Sequence, residues 1–181
     1  MKLVVQRVKK AKVLRRVQDY NSWEKVGEIK KGLFVLVGFK RRDTKETVEL
    51  LAVKLSKLRV MSDGEDKRSL ASQSPGKRSL ASQSPGKRSL ASQSPGKMNL
   101  SVTDVGGKIL VVSQFTLHAD TSGGNRPSFI NAEDPEKARK LYEFFIEKLK
   151  GLGIPVETGS FGDYMEIDAL LDGPVTIIYS D

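Results

Sequence analysis

Three short polar clusters interrupt apolar stretches of this 181-residue chain. Ser113-Gln114-Phe115-Thr116 ends the run ILVVSQFTL, GGNRPSF spans Gly123 to Phe129 and carries Arg126, and DGPVT spans Asp172 to Thr176. Each has an ordinary reading on its own, because Ser and Thr are common in strands, Gly-Pro makes turns and GGN makes loops. Thr116 has the hydroxyl of a nucleophile, but such a group is weak without an activating base. The chain has no Cys and one His, His118, so thiolate nucleophiles, disulfides, cysteine metal sites and multi-histidine metal sites are excluded. His118 lies two residues past Thr116 and shares its face only if the strand continues; it reads as a surface or packing histidine. No Gly-x-Ser-x-Gly elbow marks a generic esterase.

The elements that must position these clusters are legible in the apolar pattern. Leu3 to Val8 reads as an opening strand and Lys12 to Leu14 as a second, leading into the polar loop RRVQDYNSWEK. VGEI follows, then a continuous apolar run from Leu33 to Phe39, the mark of a buried strand. DTKETVELLAVKLSKLRV predicts a helix with Asp43 as N-cap and Glu46 three residues on, its buried face formed by Val48, Leu51, Ala52, Leu55 and Leu58. A strand is predicted from Lys108 to Phe115. DPEKARKLYEFFIEKLKGLG predicts a second helix, capped by Asp134, with Pro135 at its first position, Gly151 at its end, and Leu141, Phe145, Ile146 and Leu149 inward. Two or three strands separated by glycine turns close the chain, with Gly173-Pro174 opening the last one. Two helices are too few to cover both faces of a large parallel sheet. The expected fold class is therefore α/β, with two main helices packed outside a mixed, curved or double-layered sheet.

KRSLASQSPG occurs three times without change from Lys67 to Gly96. Each copy has one Leu and one Ala as its only apolar residues, too few to offset the entropy of ordering. Solenoid repeats need longer units with a face to stack. Residues 67–96 thus read as a disordered, solvated insertion in a turn, within one domain spanning residues 1–181. Joining the flanks gives RVMSDGED-KMNLSV, a hairpin pattern. Growing such a turn from about four to about thirty-four residues costs on the order of 2 kcal/mol, which a domain can tolerate. Each copy also carries one Lys, one Arg and no acid, so two-thirds of the formal net charge of +9 sits in the repeat. The mildly basic remainder is compatible with an RNA partner without requiring one. The amino-terminal apolar run is too short for a signal peptide and no stretch approaches a membrane span, which makes a cytoplasmic protein the default.

Taken together and in order, QRV from Gln6, KMNLSV from Lys97, VVSQFTL from Val111, RPSF from Arg126, VETGSFG from Val156 and DGPVT from Asp172 are much more specific. The chain resembles the D-aminoacyl-tRNA deacylase family over nearly its whole length, apart from the repeat and the loop from Arg15 to Lys25. One departure is Leu171, where the family often has Asn. The resemblance implies a barrel-like sheet and hydrolysis of the ester joining a D-amino acid, or glycine, to the terminal adenosine of tRNA. It implies a homodimer with the site at the interface, and no cofactor or metal. It assigns catalysis to Ser113, Gln114, Phe115 and Thr116, and substrate binding and chiral selection to Gly173, Pro174, Met165, Phe161, Arg126 and Gln6. It also implies a cis Gly173-Pro174 bond serving the other subunit's site. An aminoacyl ester is labile and has a neighbouring 2′-OH, so positioning and backbone N–H donors suffice without an activated hydroxyl. The rival reading is a non-catalytic tRNA-binding module on the same fold. That would call for an aromatic stacking platform or a dense basic stripe, whereas aromatics are only 7% and the basic excess sits in the repeat.

Overall fold

The computed structural model describes residues 1–17, 22–62 and 98–180. The repeat and the tip of the first polar loop lie outside the described residues. Two apolar cores share one curved sheet, and the first strand, β1 (Lys2–Arg16), serves both. Leu3 and Val5 face the core beneath the helices, while Val8 faces the second core on the other side of the sheet, as period-two alternation requires. One extra residue of β1 between Val8 and Lys10 then brings Ala11 and Val13 to the same side as Val8. This bulge corrects the sequence expectation of two strands: the alternation breaks there, but the strand does not.

β2 (Trp23–Ile29) and β3 (Gly32–Gly38) both pair antiparallel with β1. After helix α1 (Lys45–Ser56) and the short strands β4 (Met61–Ser62) and β5 (Met98–Leu100), strand β6 (Lys108–Ser113) returns parallel to β3. β4 and β5 pair antiparallel with each other, and the segment that joins them lies outside the described residues. Helix α2 (Pro135–Gly151) then leads to β7 (Val156–Thr158), parallel to β6, and β8 (Met165–Ser180) runs antiparallel along β1. β2 curls against β7 so closely that a Cβ on Gly27 would stand 2.5 Å from the Thr158 carbonyl oxygen. The sheet is thus mixed and nearly closed, like a barrel, with both helices on its outer side.

β3 and β6 are buried on both faces, which is why they read as unbroken apolar runs. Leu33, Val35, Val37, Ile109 and Val111 face the helices, and Phe34, Leu110 and Val112 face the second core. α2 matches its sequence signals: Asp134 Oδ1 accepts from the Glu136 and Lys137 amides, and Pro135 opens the helix. Its buried residues are Leu141, Tyr142, Phe145 and Leu149, with Ile146 partly buried beside them. At α1 the cap is Thr44, not Asp43. The Asp43 carboxylate is buried and already engaged, accepting from the Met1 ammonium at 2.6 Å and the Lys40 amide at 2.8 Å.

β8 is unlike the other long strands. None of its sixteen residues is buried, and Ile167, Leu170, Leu171 and Ile178 are 41%, 49%, 39% and 63% exposed. Gly173-Pro174 lies inside this strand and does not open it. Residues 172–175 loop out opposite Arg7, where pairing jumps from Gln6–Thr176 to Val8–Leu171. Among the described residues no helix is long and apolar enough to cross a membrane.

Candidate active site

The site is built where β3 and β6 end side by side. β6 stops at Ser113, because the Gln114 amide donates to the Val37 carbonyl at 2.7 Å and the chain then coils into a 3-10 turn, Phe115–His118. The sequence had suggested strand as far as Phe115. The turn is held by Leu117 N–H to Gln114 O at 3.3 Å and by Lys2 Nζ donating to Leu117 O at 2.8 Å. Gly38 lets the two strand ends meet: a Cβ there would lie 2.8 Å from the Gln114 oxygen and 3.1 Å from both Leu117 Cβ and His118 Cδ2.

A cavity of about 1030 Å³ opens at this end. Ser113, Gln114, Phe115, Phe161 and Met165 line it, so half of the ten residues assigned from the sequence come together in one chain. Phe161 is fixed from two sides, by the Tyr142 ring at 5.6 Å and the Arg139 guanidinium at 4.8 Å. Tyr142 is buried and donates its hydroxyl to Val111 O at 2.9 Å, tying α2 to β6; burial pushes its pKa well above the ordinary value. Met165 reaches the cavity over Gly159, where a Cβ would stand 2.9 Å from its sulfur, and Sδ accepts from the Ser160 amide at 3.3 Å.

The other five do not line this cavity. Thr116 is exposed, with its Oγ1 accepting from Gln114 Nε2 at 2.7 Å. Arg126 is exposed in the loop after the turn, and Gln6 sits within β1 opposite Phe34 and Thr176. Gly173-Pro174 is exposed on β8, and its peptide bond is cis, as expected. Arg7 fastens that loop: Nε donates to Asp172 O at 3.1 Å and also lies 3.1 Å from its carboxylate, while Nη1 donates to Val60 O at 2.7 Å.

His118 packs under the turn and is not on the cavity wall. Burial lowers its pKa, and the Met1 ammonium and Lys2 add to this, against the opposing effects of the Gly38 backbone and Asp43. The side-chain partner of Thr116 Oγ1 is the Gln114 amide. The wall also includes Phe129, from the GGNRPSF cluster, and three charged residues that the sequence did not single out: Arg41, Arg42 and Glu133, the last just before the cap of α2. Phe129 meets Phe115 edge-on at 5.1 Å. Burial raises the Glu133 pKa, but Lys137, 2.6 Å away, and the Asp134 and Arg42 amides outweigh it and hold the carboxyl below its usual range. The one available signal was the pair of consecutive arginines between a buried strand and a helix. Among the described residues no group of three or more His, Asp or Glu is placed to hold a metal ion.

The family model of D-Tyr-tRNA(Tyr) deacylase matches residues 4–84 and 78–180, two segments that overlap inside the repeat. A D-aminoacyl-tRNA deacylase of Thermosipho melanesiensis is 41% identical over 179 residues, covering 98% of this chain and 95% of the relative. Its counterpart in Thermotoga petrophila is 43% identical over 178 residues, with the same coverage. Among solved structures, one titled c-Myc DNA Unwinding Element Binding Protein superposes with a TM-score of 0.76 at 32% identity, covering 100% of this chain and 99% of that one. A probable eukaryotic D-amino acid tRNA deacylase shares the fold, with a TM-score of 0.68 at 14% identity and coverage of 98% and 97%. Matched over nearly its entire length, the chain belongs to the D-Tyr-tRNA(Tyr) deacylase family.

Proposed function

We propose that this chain acts as a homodimer whose two cavities, each completed by the other subunit, remove D-amino acids from tRNA. The chain is a hydrolase of the ester bond in D-aminoacyl-tRNA, an editing activity. The observation that carries the reading is the cavity at the Ser113–Phe115 strand end. It has neither a histidine nor a cysteine on its wall, so it suits a substrate that brings its own reactivity. Water attacks the ester carbonyl, the C–O bond to the ribose breaks, and the ribose oxygen leaves as an alcohol. The neighbouring 2′-OH assists. The amides that open the 3-10 turn, at Phe115 and Thr116, precede its first internal hydrogen bond and supply donors for the developing oxyanion. Ser113, Gln114, Phe161 and Met165 hold the aminoacyl group, and Thr116 orients Gln114.

β8 supports the dimer. Among the described residues β8 pairs with β1 on one edge only, and an open strand edge with four exposed large aliphatic side chains is a surface that folded proteins tend to cover. A second copy docked there brings its Gly173-Pro174 loop, held out by Arg7, to the cavity of the first. Gly173 has φ +126 and no Cβ, so its main chain approaches a ligand closely. A main-chain wall at that point excludes an L side chain and leaves a D side chain, or glycine, room. A tRNA substrate supports a cytoplasmic location. The test is incubation of the full chain with D- and L-tyrosyl-tRNA, following ester loss by chromatography. Rapid loss of the D ester with the L ester intact is expected, and equal rates or no loss overturn the reading.

A further inference from the structure

Arg41 and Arg42 line the cavity and are exposed, and among the described residues neither guanidinium has a carboxylate partner. This sets them apart from the acidic groups of the same wall, each of which is already engaged. Glu133 is paired with Lys137, Asp134 caps α2, and Asp163 is held by Ser160 and by Arg15 at 3.6 Å. Among the described residues, the guanidinium groups of Arg41 and Arg42 are thus the charges of this wall without an ion-pair or capping partner.

The backbone that carries the two arginines is also held in place. Arg41 N–H donates to Asn131 O at 3.0 Å, Glu133 N–H donates to Phe39 O at 3.0 Å, and Lys40 bridges to Ala132. Arg42 has φ 75, the left-handed backbone that long side chains seldom adopt, with its amide turned to the Glu133 carboxylate. A residue kept in that conformation by its surroundings points to a functional constraint. The exposed aromatic pair of Phe115 and Phe129 lines the same cavity.

Guanidinium groups without carboxylate partners, carried by a held backbone on the wall of a cavity that also exposes aromatic rings, match a single-stranded nucleic acid end, whose phosphates pair with arginine and whose bases stack. We propose that Arg41 and Arg42 clamp the phosphodiesters that join the last nucleotides of the tRNA 3′ end, so that the ester is presented from a fixed backbone. This rests on the deacylase reading and names which part of that substrate these two residues bind. They are positioning residues and take no part in the chemistry.

The test compares the full chain with the double variant Arg41→Gln/Arg42→Gln on D-tyrosyl-tRNA at 50 and 200 mM salt. Two single-strand phosphate contacts contribute a slope of about −1.4 to log(kcat/KM) against log[salt], so the parent falls about sevenfold more than the variant over that range. KM should rise in the variant at low salt, with kcat at saturation unchanged. Equal salt slopes, or a loss of kcat at constant KM, overturn the proposal. If the parent leaves D-tyrosyl-tRNA intact, the deacylase reading fails on its own, and binding of uncharged tRNA in the same titration still reports on the arginines. Removing the last three nucleotides of that tRNA should abolish the difference between the two proteins. A difference that persists places the arginines on phosphates elsewhere and sinks the assignment.

Discussion

Gly38→Ala tests the geometry of the site at a single atom. The new Cβ would lie 2.8 Å from the Gln114 carbonyl oxygen and 3.1 Å from Leu117 Cβ and His118 Cδ2. Gln114 cannot swing aside freely, because its amide is bonded to Val37 O at 2.7 Å and its turn is tied to Lys2. The close contact is to backbone, so the Gln114 oxygen must retreat by several tenths of an ångström, together with the Phe115 and Thr116 amides behind it. Overpacking of this kind costs roughly 1–3 kcal/mol. For a chain of this size each kcal/mol lowers Tm by about 2–4 °C, so melting should fall measurably while the protein still folds. Misplacement of oriented groups approaching 1 Å costs about a hundredfold in rate, and kcat on D-tyrosyl-tRNA should drop by roughly ten- to a hundredfold. The control is Gly151→Ala at the end of α2, where nothing lies within 4 Å of the new Cβ. It should leave the rate unchanged and hold or raise Tm. Equal rates for the parent and Gly38→Ala, measured on protein shown to be folded by circular dichroism, would refute the claim that this turn carries the chemistry.

Thr116→Ala should lower kcat only about tenfold, through a loosened Gln114, and mass spectrometry should find no acyl-threonine species; a trapped acyl-enzyme contradicts this. Tyr142→Phe removes a buried hydroxyl from Val111 O, which keeps its bond from the Gly159 amide at 2.9 Å, and should cost about 1 kcal/mol in denaturant unfolding. Deleting residues 67–96 should leave a folded, active dimer by sedimentation and ester hydrolysis. His118 has a folded pKa below its ordinary 6.5, so the unfolded chain takes up the proton first; its contribution to stability is complete above pH 6.5 and is lost as pH falls from there towards the lowered value. His118→Gln should flatten that part of the stability profile in thermal melts.

Much of the fold could be read from local pattern. β3 and β6 appeared as apolar runs because both their faces are buried, and α2 announced itself through Asp134, Pro135 and Gly151. Errors fell where a local rule met a tertiary demand. Asp43 has the type and spacing of a cap, but the Met1 ammonium and Lys40 amide claim its carboxylate, so Thr44 caps instead. β1 looked like two strands because its bulge interrupts the alternation. Of the site, the Ser113–Phe115 strand end was legible as polar residues closing an apolar run. Arg41 and Arg42 were not, because nothing local distinguishes two arginines in a surface link from two on a cavity wall. That is decided by hydrogen bonds to residues 131–133, some ninety positions away.

The composite site is tested most directly by mixing subunits. Gly38→Ala damages the cavity of its own chain, whereas Gly173→Val damages only the loop lent to the partner, its φ of +126 being strained for a β-branched residue. Each homodimer should hydrolyse D-tyrosyl-tRNA poorly. Unfolded together and refolded as an equal mixture, half the dimers are mixed, and each mixed dimer holds one cavity with both parts intact. Activity should recover to about a quarter of the parent's, as expected for a two-fold dimer with shared sites. A mixture no more active than the two variants apart would contradict the account, since it would mean that each chain builds its site alone.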